Sequence, residues 1–197
     1  MRILVTCFGK FHDFSENPSK NVLEQIKYLT KETKNVEFEW EELDVVFNKV
    51  DNFIEHINHN HELIIHLGVA TGAEKIRFEL NAHNIKDGKD TDGICFSNSP
   101  IQDGEYQIET TFPIELINDF VENNKSVAEV SNDAGAYLCN YVYFKSLSKL
   151  YSNSKVIFIH VADYQNNNKA KTAEEQGFLL YQFLKSFLEN SVTNEIN

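Results

Sequence analysis

Basic charge is scarce in this chain. Its 197 residues carry 18 Lys and Arg against 30 Asp and Glu, a formal net charge of −12. Such a surface repels phosphate backbones and anionic headgroups, which argues against general nucleic-acid binding and adhesion to an anionic membrane. Cysteine is scarce too, with only Cys7, Cys95 and Cys139. An odd number without a CxxC pair argues against a disulfide scaffold and a cysteine-rich zinc site. Long hydrophobic runs are missing. No segment approaches the about 20 apolar residues of a membrane span. The short apolar run in MRILVTCFGKF is too brief for a signal-peptide core, and no small-residue cleavage site follows it. GxSxG, GxGxxG and GxxxxGK[ST] are absent, so a serine-hydrolase elbow and the common nucleotide loops find no support. What is present is 42% apolar and 12% aromatic residues, enough for a sizeable core in one domain. The expectation is a soluble, cytoplasmic domain over residues 1–190, with 191–197 a flexible tail.

Hydrophobic periodicity outlines the elements. Residues 2–6 read as a buried β-branched strand. NVLEQIKYLTKE places Val22, Leu23, Ile26 and Leu29 at helical spacing, with Asn17 or Ser19 as its cap. Residues 36–46 alternate apolar and acidic, the mark of a strand with one wet face near a sheet edge. FNKVDNFIEHINHN predicts a helix, and LIIHLGVATG a central strand ending in a glycine turn. Residues 75–85 read as extended, and 86–111, rich in Asp, Gly, Ser and Asn, as a long excursion with one hairpin. FPIELINDFVENN predicts a helix, VAEVSNDAG a strand and turn, AYLCNYVYFKSLSKLY a helix, VIFIHVAD a buried strand, and TAEEQGFLLYQFLKSFLEN a terminal helix. Strands alternating with helices predict a three-layer α/β/α sandwich with a mixed, mostly parallel sheet.

Three residues could carry chemistry. Cys139 falls in the first turn of a predicted helix, where unpaired amides and their positive partial charge favour a thiolate and could hold an oxyanion. His160 lies near the carboxyl end of a buried strand, the usual edge for a site in an open α/β sheet. Glu79, between Phe78 and Leu80, is a carboxylate in an apolar stretch and could orient the imidazole. Each has an ordinary reading as well. A lone helical cysteine is commonly a small buried hydrophobe, and a lone strand histidine a satisfied core residue. His56, His59, His61 and His66 crowd into HINHNHELIIH, but the spacing is not HExxH and the segment crosses from helix into strand, so it reads as a solvated loop with no metal.

These residues also carry a resemblance. SNDAGAYLCN resembles the SN-x-AG-x-x-x-CN motif of the pyroglutamyl peptidase I family of cysteine peptidases, with Ser131, Asn132, Ala134, Gly135, Cys139 and Asn140 matching. Phe158, Ile159, His160 and Val161 resemble its FIHVP motif, with Ala162 in place of Pro. FELNAHN keeps Glu79, Ala82 and Asn84 of its IERVAIN motif. The amino terminus is similar to the family's strand and aromatic loop, followed by Asn17-Pro18-Ser19. The resemblance spans about residues 1–185. It implies removal of an N-terminal pyroglutamyl residue from peptides, with Cys139 as nucleophile, His160 as base and Glu79 as orienter, and with neither metal nor cofactor. It further implies that Phe8 and Phe11 sandwich the lactam ring, that Asn17 and Val69 share that substrate site, and that a homo-oligomer is the natural assembly. The lactam carries no charged amine, so its pocket needs apolar walls and a few backbone hydrogen bonds.

The chain departs from the family pattern around the pocket. Leu80 replaces an Arg after the Glu, Val69 stands where Gln is common, Cys7 replaces a Gly, and Lys10 and His12 alter the aromatic loop. If that Gly needed positive φ, Cys7 would strain the backbone or redirect the loop. Losing a donor at position 80 would weaken oxyanion or substrate stabilisation. The competing expectation is a relative with altered specificity, or one that kept the fold for non-catalytic binding.

Overall fold

The structure, a computed structural model, describes residues 1–11, 16–58, 60–150 and 154–194. The chain runs β1 (Arg2–Phe8), α1 (Pro18–Leu29), β2 (Glu37–Leu43), α2 (Phe47–His56), β3 (Leu63–Ala70), β4 (Ile76–Glu79), β5 (Asn81–His83), β6 (Lys86–Lys89), β7 (Cys95–Ser99), β8 (Gln107–Glu109), α3 (Ile114–Asn123), β9 (Ala128–Ser131), α4 (Leu138–Leu150), β10 (Lys155–Ala162) and α5 (Ala173–Asn194). The main sheet has the order β2-β1-β3-β10-β4-β9. The first four strands are parallel; β4 runs antiparallel to β10, and β9 follows β4. The expected mixed, mostly parallel sheet is thus present, with the acidic strand β2 at one edge.

Alternation along the strands divides the core into two layers. Ile3, Val5, Ile65, Leu67, Ile157 and Ile159 face one side and pack with apolar residues of α1, α3 and α5. Leu4, Ile64, Val156 and Phe158 face the other and pack with Val50 and Ile54 of α2 and Val142, Tyr143 and Leu147 of α4. This is the α/β/α sandwich. Its α1 starts at Pro18, capped by Asn17, whose Oδ1 accepts from Ser19 N at 3.0 Å and from Ser19 Oγ at 2.9 Å. Proline is favourable there because a first-turn N–H has no helical partner. The strand β1 runs through Cys7, which is not among the positive-φ residues, so the Gly-to-Cys departure brings no backbone strain.

The excursion over 86–111 holds one hairpin, β6 with β7, as expected; its further strand β8 pairs back to β5, which precedes the excursion. Asp90 closes the β6–β7 turn, accepting from Asp92 N and Ile94 N through Oδ1, and its Oδ2 takes Phe47 N at the start of α2. Helix α5 runs to Asn194, and 195–197 lie outside the described residues.

The histidines of HINHNHELIIH take separate partners. His56 Nδ1 donates to Asn52 O at 2.8 Å, and His61 reaches Asn58 O and the Glu39 carboxylate, both at 2.8 Å. His59 lies outside the described residues. His66 is fully buried between Thr6 Oγ1 at 2.7 Å and Ser146 Oγ at 2.9 Å, bridging β1, β3 and α4. Burial lowers its pKa from 6.5 to about 3. The unfolded chain therefore takes up a proton that the folded chain refuses. This contribution to stability is complete above about pH 6.5 and is lost as pH falls towards about 3, at about 1.4 kcal/mol per pH unit. His66→Leu removes that dependence and leaves two buried hydroxyls short of a partner, at about 1–3 kcal/mol near neutrality. Urea unfolding across pH 7 to 4 is expected to give a less stable but flatter profile for the variant; parallel profiles would refute the assignment.

Candidate active site

The site forms where β3, β10 and α4 meet. Cys139 is the second residue of α4, so its thiol stands among the first-turn amides, as the sequence indicated. His160 is on β10, two residues before its end, and only 7% exposed. Its Nδ1 lies 2.7 Å from Glu79 Oε1. Cys139 lines the same cleft as His160, and its thiol acts on the ring. Thiol, imidazole and carboxylate therefore stand in series.

Burial acts to lower the His160 pKa. The Cys139 thiol and the Glu79 carboxylate, which accepts from Nδ1, overcome it and raise the value to about 9. Glu79 is wholly buried, and its Oε2 has no hydrogen-bond partner among the described residues. In a low-dielectric setting a carboxylate with so few partners acts strongly on the neighbouring ring. Glu79 reaches His160 because β4 is antiparallel to β10. Glu79 pairs with Phe158 in register and Arg77 with His160, so the Glu79 side chain emerges on the face that carries His160. Tyr143 of α4 donates to Glu79 O at 2.9 Å and fixes this strand end.

Gly68 makes room for the thiol. A Cβ at this position would lie 2.7 Å from Cys139 Sγ and 2.8 Å from Phe158 Cζ. Asn140, next to the cysteine, is fully buried. Its Nδ2 donates to the carbonyls of His83 and Ile85, and its Oδ1 accepts from His83 N, all at 2.8 Å. It anchors the excursion to α4.

Beside Cys139 is a narrow, mostly apolar slot, and Phe8, Phe11, Asn17 and Val69 all line it. Asn17 spends its oxygen on the α1 cap and donates from Nδ2 to Gly9 O at 3.0 Å. Sequence reading missed Val45 and Tyr137 in this wall. It also missed that the hairpin walls the site: an open cleft of about 710 Å³ continues from His160 past Thr71 to Asp87, Gly88 and Lys89. Gly88 was the available signal. A glycine inside a strand marks close approach, and here a Cβ would meet the Tyr137 ring at 2.9 Å with φ at +104°. Leu80 lines neither slot nor cleft; it packs against the core on the α1 and α5 side. Cys7 is buried, and burial followed by the Glu42 charge pushes its thiol up to about 12.

A thiol, imidazole and carboxylate in series beside an apolar slot, on an α/β/α sandwich, is the arrangement of a cysteine-type peptidase. Comparison with known proteins narrows the class. A profile of the family described as pyroglutamyl peptidase matches residues 1–178. The pyrrolidone-carboxylate peptidase of Thermosipho melanesiensis is 34% identical over 169 residues, 82% of each chain. The solved pyrrolidone carboxyl peptidase of Thermococcus litoralis is similar with a TM-score of 0.78 at 27% identity, over 96% of both chains. That of Thermus thermophilus shares the fold, with a TM-score of 0.82 at 24% identity over 92% of this chain and 98% of its own. The chain belongs to the pyroglutamyl peptidase family.

Proposed function

We propose that Cys139, His160 and Glu79 are the machinery with which this pyroglutamyl peptidase removes an N-terminal pyroglutamyl residue. The carrying observation is the 2.7 Å bond between Glu79 and His160 in a cleft that His160 shares with Cys139. The lactam occupies the slot lined by Phe8, Phe11, Asn17 and Val69, and the rest of the peptide leaves through the open cleft. Cys139 attacks the exocyclic carbonyl of pyroglutamate with its proton held by His160, forming the S–C bond. The first-turn amides of α4 receive the oxyanion. The C–N bond then breaks, and His160 returns the proton to the leaving amine. Water hydrolyses the thioester and frees pyroglutamate. Glu79 holds the ring and stabilises the imidazolium. Each proton transfer is served by a side chain of this chain, so the cycle needs no metal or cofactor.

A reducing, cytoplasmic setting belongs to this reading, since the nucleophile must remain a free thiol and no cysteine is paired among the described residues. No helix among the described residues is long and apolar enough to cross a membrane. A homo-oligomer belongs to it as well, with the exposed aromatics Tyr28, Tyr106 and Phe178 as surface to draw on.

The test is amine release from a fluorogenic pyroglutamyl-amide, with a prolyl-amide as control and reductant present. Wild type is expected to cleave the first selectively. Glu79→Gln is expected to lose roughly 10²–10⁴-fold in kcat, less than loss of the thiol costs, because slot and oxyanion amides survive. Equal rates for wild type and Glu79→Gln would remove Glu79 from its role.

A further inference from the structure

Beyond Ala162 the pairing of β10 with β3 ends, yet the two chains stay tied by a buried side chain. Asp163 is 0% exposed. Its Oδ2 accepts from Gly72 N at 2.9 Å, and its backbone N donates to Ala73 O at 3.0 Å. Asn167 Nδ2 donates to Gly72 O at 3.0 Å, so both ends of Gly72 are held. Asn166 completes the shell, donating from N to Oδ1 at 3.1 Å and from Nδ2 to Oδ2 at 3.0 Å. The clamped segment is the tight turn closed by Ala73 N to Ala70 O at 2.9 Å, with Gly72 at φ +74°. That φ suits the third position of a type II turn, which only glycine fills without strain. The turn directly follows Val69 and contains Thr71, which line the slot and the cleft. The clamp starts three residues after His160, just past the end of its strand.

We infer that Asp163 is a positioning residue that fixes the Val69–Gly72 turn relative to His160, and so sets how the lactam is held against the thiol. This rests on the pyroglutamyl reading of the slot. The sheet alone cannot do this, because its last β3–β10 register pair is Ala70 with Ala162. A carboxylate suits the task. It accepts from the Gly72 amide and from Asn166 at once, whereas a neutral amide would turn an N–H towards one of them.

Asp163→Asn and Asn167→Ala test this on a pyroglutamyl-amide, together with the alkylation rate of Cys139 by iodoacetamide, which needs no lactam. For Asp163→Asn, KM is expected to rise roughly 10–100-fold with kcat within about threefold. The alkylation rate stays at the wild-type value, because the variant leaves Cys139, His160 and Glu79 untouched. Asn167→Ala moves KM in the same direction by a smaller factor, and it carries the test if Asp163→Asn fails to fold, since its side chain is only half-buried. An active wild type with unchanged KM in the folded variants overturns the clamp alone. So does a variant in which kcat and alkylation fall together while KM holds. A wild type silent towards pyroglutamyl amides overturns both this inference and the reading of the slot.

Discussion

Cys139→Ser abolishes turnover of pyroglutamyl amides, by roughly 10⁴-fold or more, while the thermal midpoint stays close to wild type. The hydroxyl is isosteric enough to keep the packing against Gly68, but it does not ionise under conditions where a thiol does. The same variant carries a second signature. Cys139 supplies the leading upward influence on His160, against the downward push of burial. Without it the imidazole titrates well below the wild-type value of about 9, held up by Glu79 alone. Ring carbon NMR of labelled histidine reads this shift directly. Activity near wild type would remove Cys139 as the nucleophile, and an unmoved His160 titration would break the proposed coupling. Labelling separates the three thiols. Cys7, pushed up to about 12 within the core, stays silent, and Cys95 is exposed and free of any such constellation.

Gly68→Ala is expected to be the most damaging change that leaves all three reacting groups in place. The new methyl would sit 2.7 Å from Cys139 Sγ and 2.8 Å from the Phe158 ring, closer than real contacts allow. Phe158 is buried on β10 and held by packing against α4, so it yields little ground. The thiol must then move from its alignment with His160. Overpacking of this kind costs about 1–3 kcal/mol of stability. A displacement near 1 Å at the reacting atom costs about 10²-fold in kcat. Thermal melts and kcat measured together check both, and a kcat within a few-fold of wild type would show that α4 slides to accommodate the methyl.

Much of the fold was legible because its signals are local. The β-branched runs at β1, β3 and β10 and the helical spacing of Val22, Leu23 and Ile26 report burial on known periods. Asn17-Pro18 marks a helix start by the needs of unpaired amides. The hairpin in the excursion was legible, but the pairing of β5 with β8 across it was not, because such pairing leaves no trace in either short segment. The same gap hid the cleft wall at Gly88 and the contribution of Tyr137. Nothing about position 80 alone tells which way its side chain faces, so the Arg-to-Leu departure looked more serious for the site than its packing on the opposite layer makes it.

The sequence by itself determined the chemistry available: one thiol in a helix's first turn, one histidine at a strand's end, one carboxylate in an apolar stretch, and a family motif joining them. Whether they could meet was decided by the tertiary structure. Strand β9 runs opposite to β10, so it does not deliver Cys139 straight to the site; residues 132–137 carry the chain back to start α4 beside Gly68. Glu79 faces His160 only because β4 is antiparallel and in the register that pairs Glu79 with Phe158. A shift of one residue would turn the carboxylate to the other face of the sheet, because strand side chains alternate. Register and strand direction are settled by contacts between segments far apart in the chain, and those are the quantities a local pattern cannot encode.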